Sequence, residues 1–256
     1  MMDSQKAARL ALACLDLTSL NDGDTEAEVI KLCARAHGPH GATAAVCVWP
    51  RFAALARREL PAGIAVAAVA NFPDGSTDIA RAVRDTREIV DAGAQEVDVV
   101  LPFAALMQGD ERPVAELLAA VRKACDGLAL KVILETGVLV SPALIARASQ
   151  LSLDAGADFL KTSTGKTPVS ATREAATVML NAIAADPRHA HVGFKASGGI
   201  RTVNDATVYF GLVEQILGAS ALSPQRFRIG ASSLLNDIEA VLGGTSAPPL
   251  AAPGTY

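Results

Sequence analysis

Asp158-Phe159-Leu160-Lys161-Thr162-Ser163-Thr164-Gly165-Lys166 runs an apolar segment straight into a lysine, then into a hydroxyl-rich, glycine-containing turn ending in a second lysine. If residues 157–161 form a strand, alternation puts Phe159 and Lys161 on one face and Asp158 and Leu160 on the other. A lysine at the end of a buried strand is costly unless it is paired or has a lowered pKa. Lys161 is therefore either an ion-paired interior cation or a group kept for chemistry. The pattern recurs one structural unit later in Gly193-Phe194-Lys195-Ala196-Ser197-Gly198-Gly199, again strand, lysine and glycine-rich turn.

Outward from these two stretches, short β-branched runs alternate with segments of helical period. Strands are expected over 13–16, 44–48, 64–70, 96–101, 130–135, 157–161, 192–195 and 226–230. Helical patterns fall over 26–36, 51–60, 77–92, 114–125, 142–155, 171–185, 203–217 and 233–242. Asp24-Thr25, Ser76 before Asp78, Ser141-Pro142 and Ser170 with Arg173-Glu174 signal helix starts, and Gly38, Gly93, Gly127 and Gly156 signal stops. Eight strand–helix units without a composition break predict an α/β fold, a single closed (β/α)8 barrel spanning 1–256. A short helical segment is expected at the amino end and a mobile tail, rich in Ala, Pro and Gly, over 243–256. An open doubly wound sheet is the alternative. No Gly-x-Gly-x-x-Gly follows the first strand, so a dinucleotide-binding version has little support.

Composition narrows the function classes. Of 256 residues, 50% are apolar and 20% charged, which is ample for a core. A net charge of −4 offers no general attraction to nucleic acid or anionic membrane, so any anion site must be local. One Trp and two Tyr leave few platforms for stacking bases. Cys14, Cys33, Cys47 and Cys125 show no Cys-x-x-Cys spacing and read as buried thiols of a reducing compartment. The polar start has no signal-peptide core and no apolar run approaches the ~20 residues of a membrane span, so a soluble cytoplasmic protein is expected.

The functional face of such a barrel lies at the carboxyl ends of its strands. Alternation along Glu96-Val97-Asp98-Val99-Val100 sends Glu96 and Asp98 inward and Val97 and Val99 toward the helices. The same rule sends Lys131 and Glu135 inward. Asp16 ends the first strand, Lys161 the sixth and Lys195 the seventh. Lys131 and Glu96 read as counter-ions. Lys161 and Lys195 sit on adjacent strands, which run ~4.8 Å apart. Two ammonium groups at that range cannot both stay protonated comfortably, so one pKa should fall. Catalytic lysines are tuned to about 7–8 in this way. A neutral amine beside a carbonyl forms a Schiff base, an electron sink for breaking or making the next carbon–carbon bond. Asp98, two strands from Lys161, could pass protons through a water. This is a class I aldolase constellation. Spacing alone leaves open which lysine is the nucleophile. Lys161 is preferred because Phe159–Leu160 desolvates it, whereas Lys195, meeting a glycine turn, suits the perturbing cation.

A second ingredient is an anion site. Gly198-Gly199 after the seventh strand and Gly230-Ala231-Ser232-Ser233 after the eighth occupy the positions where barrels often bind phosphate. Glycines let the backbone approach, and N–H groups at the following helix start attract an anion. Lys166 and Arg201 add positive charge nearby.

Together these residues make the chain resemble the deoxyribose-phosphate aldolase family nearly end to end. The resemblance is carried by Leu15-Asp16-Leu17-Thr18-Ser19-Leu20-Asn21, Val46-Cys47-Val48, Val69-Ala70-Asn71-Phe72-Pro73, Glu96 to Val100, Asp158 to Lys166, Gly193-Phe194-Lys195 with Gly198-Gly199-Ile200-Arg201-Thr202, and Phe227 to Ser233. It implies a TIM barrel that reversibly cleaves 2-deoxy-D-ribose 5-phosphate to D-glyceraldehyde 3-phosphate and acetaldehyde, with neither cofactor nor metal. It implies Lys161 as the Schiff-base lysine, Lys195 as the lysine that perturbs it and Asp98 as the proton relay. Gly165, Lys166, Gly198, Gly199, Arg201, Gly230, Ser232 and Ser233 fall at phosphate-binding positions, and Asp16 and Thr18 on the substrate side. The family often ends in a tyrosine that assists proton transfer, matched here by Tyr256 after a poorly matched Pro- and Ala-rich approach. Cys47 is either a reactive thiol near the site or a buried spectator. A homodimer is the assembly the family suggests, although no surface stripe argues for it. The rivals are a metal-dependent aldolase, another Schiff-base aldolase of different substrate, and a silent phosphosugar-binding barrel. The first needs ligands at strand ends, whereas His37, His40, His189 and His191 all fall in connections.

Overall fold

In the computed structural model, which describes residues 2–244, eight parallel strands close into a barrel. They are, in order, Leu15–Thr18, Ala45–Val48, Ala65–Ala70, Glu96–Val100, Ala129–Ile133, Phe159–Lys161, Gly193–Ser197 and Phe227–Ala231. Each pairs with the next, and the first closes on the eighth through Leu15 opposite Ile229 and Asp16 opposite Gly230. The expected α/β barrel is what the chain forms. A helix over Ser4–Ala13 precedes the first strand, capped by Asp3, whose side chain accepts from the Lys6 N–H. Among the described residues no helix is long and apolar enough to cross a membrane.

The helix signals mostly act where the sequence places them. Thr25 and Glu28 form a reciprocal capping box, and Asp78 caps the helix Ile79–Asp91. Two signals are corrected. Thr172, not Ser170, caps the helix Arg173–Ala184, accepting from the Ala175 N–H. Gly38 does not stop a helix but lies in a small antiparallel hairpin with Gly41. The fifth strand ends at Ile133, short of Glu135, because Glu135 turns into the left-handed region at φ 56° and opens the short helix Thr136–Leu139.

Alternation sorts the barrel residues between two environments. Val46, Val66, Val97, Val99, Val132, Leu160, Phe194 and Ile229 pack outward into the main core under the helices. A second, smaller core of Leu20, Cys47, Ala67, Val69, Phe72, Val100 and Ile133 forms apart from it, from the loop after the first strand and from the second to fifth strands and their loops. The first strand and the fourth to eighth strands turn Asp16, Glu96, Asp98, Lys131, Lys161, Lys195 and Arg228 to the interior, all buried. The barrel interior therefore has an apolar side and an ionic side.

Candidate active site

The ionic side forms a continuous network. Lys161 and Lys195 are direct register partners on the sixth and seventh strands. Both amines donate to the same oxygen, Oδ2 of Asp98, at 2.9 Å from Lys161 and 2.7 Å from Lys195. The other Asp98 oxygen takes Lys131 Nζ at 2.7 Å. Lys195 also reaches Asp16 Oδ2 at 2.5 Å. Lys131 Nζ lies 2.6 Å from Glu96 Oε2 and 3.7 Å from Asp16 Oδ2. Arg228 closes the circuit, 2.7 Å from both Asp16 Oδ1 and Glu96 Oε1. Asp98 thus touches Lys161 directly, rather than across the water that its two-strand separation suggested.

These contacts divide the two lysines electrostatically. Burial pushes the Lys161 amine below its ordinary value; Asp98 opposes this and Lys195 adds to the fall. Burial acts on Lys195 too, but Asp16 and Asp98 outweigh it and hold that amine well above its ordinary value. One amine falls and the other rises: burial lowers both, and they part because Asp16 and Asp98 together outweigh it at Lys195 whereas Asp98 alone does not at Lys161. Burial works against the charged forms of Asp98 and Asp16. For Asp98 it is outweighed by Lys131, Lys161 and Lys195, and for Asp16 by Lys195, Arg228 and Lys131, so both carboxyls are held below the carboxylate range. A neutral buried amine can attack a carbonyl carbon, and the neighbouring ammonium and carboxylate can exchange protons with it.

The loops after the sixth, seventh and eighth strands form a half-open cavity of about 310 Å³, one of whose lining residues, Gly230, packs against the Lys195 side chain. Gly165, Gly198, Gly199, Arg201, Gly230, Ser232 and Ser233 line it, as do Thr167, Ser170 and Ile200, which sequence reasoning missed. Lys166 is not among the lining residues. Ser170 is available there because Thr172 has taken the capping role. Gly198 and Gly199 both lie at positive φ, 82° and 81°, and a side chain on Gly198 would collide with Ser170. Ser233 begins the helix Leu234–Gly243 without a side-chain capping bond, leaving the positive end of that helix facing the cavity region.

Other expected residues are placed less centrally. The Thr18 hydroxyl donates to the Asp16 carbonyl at 2.8 Å and is buried. Cys47 Sγ lies 4.0 Å from Asp98 Oδ2, and burial pushes its thiol up. Glu135 accepts hydrogen bonds from the Thr164 hydroxyl and, at 3.2 Å, the Thr167 hydroxyl, so it braces the loop after Lys161 instead of joining the ionic network. His37 sits in the hairpin and His189 in a short turn of 3₁₀ helix, away from the strand ends. Tyr256 and the tail beyond residue 244 lie outside the described residues. Arg228 is the chief residue that sequence reasoning passed over. Its signal was its position between Phe227 and Ile229, which turns it to the same face as Gly230.

Known proteins agree with this architecture. Residues 10–240 match the model of the DeoC/LacD family of aldolases. A structure from Toxoplasma gondii ME49, named provisionally as a deoxyribose-phosphate aldolase, superposes with a TM-score of 0.87 at 24% identity, covering 95% of this chain and 96% of that one. That likeness concerns the fold alone. An aldolase named QR15 shares 29% identity at a TM-score of 0.77, over 91% of this chain and 96% of its own. The deoxyribose phosphate aldolase from Aeropyrum pernix, described as a tetramer, shares 25% identity at a TM-score of 0.70 over 93% and 92%. With a family match running from the first strand through the eighth, this chain belongs to the DeoC/LacD family of aldolases and is a lyase.

Proposed function

We propose that the protein cleaves 2-deoxy-D-ribose 5-phosphate reversibly to D-glyceraldehyde 3-phosphate and acetaldehyde, through a Schiff base on Lys161. The observation that carries this reading is the pairing of a buried, lowered amine with a raised one across a single Asp98 oxygen. The neutral Lys161 nitrogen adds to the C1 aldehyde of the open-chain sugar; loss of water leaves a protonated imine. The C3 hydroxyl gives up its proton, the C2–C3 bond breaks, and its electron pair moves toward the imine to form an enamine. D-Glyceraldehyde 3-phosphate departs. The enamine takes a proton at C2, and water then releases acetaldehyde and the free amine. Asp98, held ionised and in contact with both amines, is suited to carry protons between Lys195 and the reacting centre. The cavity lined by Gly198, Gly199, Arg201 and Ser232 suits the phosphate, since backbone N–H groups and a helix start favour an anion.

Borohydride reduction in the presence of 2-deoxyribose 5-phosphate, followed by peptide mapping, tests the reading. The expected adduct is on Lys161, and Lys161→Ala should abolish both adduct and turnover. An adduct on Lys195 would reverse the two roles. Phosphosugar binding with no adduct would favour a silent binding barrel. Competition between phosphosugars separates this substrate from those of other Schiff-base aldolases.

A further inference from the structure

The barrel interior holds more positive groups than its carboxylates can match. Lys131, Lys161, Lys195 and Arg228 face Asp16, Glu96 and Asp98, every one of them buried and joined to the others by ion pairs. Three of the cations occupy a single register row on consecutive strands, Lys161 opposite Lys195 and Lys195 opposite Arg228. An uncompensated charge in a dry interior is expensive, and the group that can shed it does so. An arginine cannot lose its proton. Lys131 and Lys195 each touch two or more carboxylates, whereas Lys161 touches Asp98 alone of the three. Three carboxylates balance three cations when Lys161 stands as the free amine.

We propose that Arg228 is a positioning residue for the Lys161 chemistry: by occupying Asp16 and Glu96, it supplies the excess positive charge that leaves Lys161 as the free amine. The inference rests on the Schiff-base reading above and explains how that amine becomes available. Arg228 is suited to the role. Its guanidinium bridges both carboxylates, donates to the Pro224 carbonyl, and lies 5.5 Å from the Phe159 ring centre. Phe159, two residues before Lys161, fits there because Gly193 has no side chain to meet its ring. Through Asp16, Arg228 also fixes the carboxylate that holds Lys195 charged. The other titratable groups near Lys161 are Cys47 and Glu135. Burial pushes the Cys47 thiol up, and Glu135 accepts hydrogen bonds from Thr164 and Thr167 and forms no ion pair with the four cations, so neither joins the network.

The test is the pH dependence of borohydride trapping on Lys161 with acetaldehyde as the probe. Arg228→Met leaves three carboxylates facing three cations, so Lys161 keeps its proton and the trapping midpoint should move alkaline by roughly one pH unit. Below the midpoint that is about a tenfold slower reaction. Arg228→Lys, which keeps the charge, should hold the midpoint near that of the parent. Glu96→Gln alone should move it the other way. The double variant Arg228→Met with Glu96→Gln again leaves one cation in excess and should return the midpoint toward the parent value. A purely structural role for Arg228 would damage folding in both variants without restoring the midpoint. If Arg228→Met does not fold, Glu96→Gln and the double variant carry the test alone. Normal Lys161 trapping with a midpoint unmoved by these changes overturns the inference and leaves the Schiff-base reading intact. No Lys161 adduct in the parent protein overturns both.

Discussion

Replacing Lys131 by methionine isolates the energetics of the ionic network, because the new side chain has similar length and opens little cavity. Lys131 is wholly buried, with its amine 2.6 Å from Glu96 and 2.7 Å from Asp98. At an effective dielectric of about 20, each such contact corresponds to about 6 kcal/mol of attraction. Desolvation of the lysine, several kcal/mol, offsets much of this in the parent protein. The variant escapes that desolvation but takes one cationic contact from Glu96, which keeps Arg228, and one from Asp98, which keeps Lys161 and Lys195. Breaking one side of a buried pair costs about 3–5 kcal/mol. For a domain of this size the loss corresponds to a Tm lower by about 10 °C. Circular dichroism melting at neutral pH measures it. The sign with pH follows from the groups involved. Lys131 is held above its ordinary value, so its contribution is complete at neutral pH and fades only as pH rises through that raised value. Asp16 and Asp98 are held below theirs, so the stability they contribute is complete above the carboxylate range and is lost as pH falls through it. The double variant Lys131→Met with Glu96→Gln removes one of the two carboxylates that lost the lysine and should recover part of the loss. A Tm within about 2 °C of the parent for Lys131→Met alone would refute the reasoning.

Two further predictions concern activity. Lys195→Leu removes the raised amine that touches both Asp16 and Asp98; it should cost most of the turnover while leaving slow adduct formation at Lys161, as single-turnover trapping would show. Turnover close to the parent's would remove Lys195 from the mechanism. Gly198→Ala combines a left-handed backbone with a collision against Ser170, whereas Gly199→Ala meets no atom within 4 Å and carries only the backbone strain. Steady-state kinetics should show KM for the phosphorylated substrate rising about tenfold or more for Gly198→Ala, and less for Gly199→Ala, with kcat largely retained. Equal effects on phosphorylated and non-phosphorylated substrates would argue against a phosphate role for this cavity.

Much of the site was legible along the chain because local period decides which face of a strand a residue joins. The alternation in Glu96-Val97-Asp98 and the placement of Lys161 and Lys195 at strand ends follow from a two-residue repeat, and the glycines after the seventh and eighth strands mark their turns. Capping was legible only in part. Ser170 and Thr172 are both competent caps, and the backbone path chose Thr172, leaving Ser170 for the cavity.

Which inward residues meet could not be read locally. Arg228 pairs with Asp16 and Glu96 across separations of 212 and 132 residues. Those partners are set by the tilt and register with which the sheet closes on itself. Closure also brought Asp98 into direct contact with both lysines, gave Lys131 a structural place among three carboxylates, and drew Glu135 out of the barrel to brace Thr164. The sequence by itself determined the barrel, the ionic character of its interior and the two lysines. Only the tertiary structure decided which carboxylates each amine meets, because Lys195 reaches both Asp16 and Asp98 and Lys161 reaches Asp98 alone once the barrel has closed.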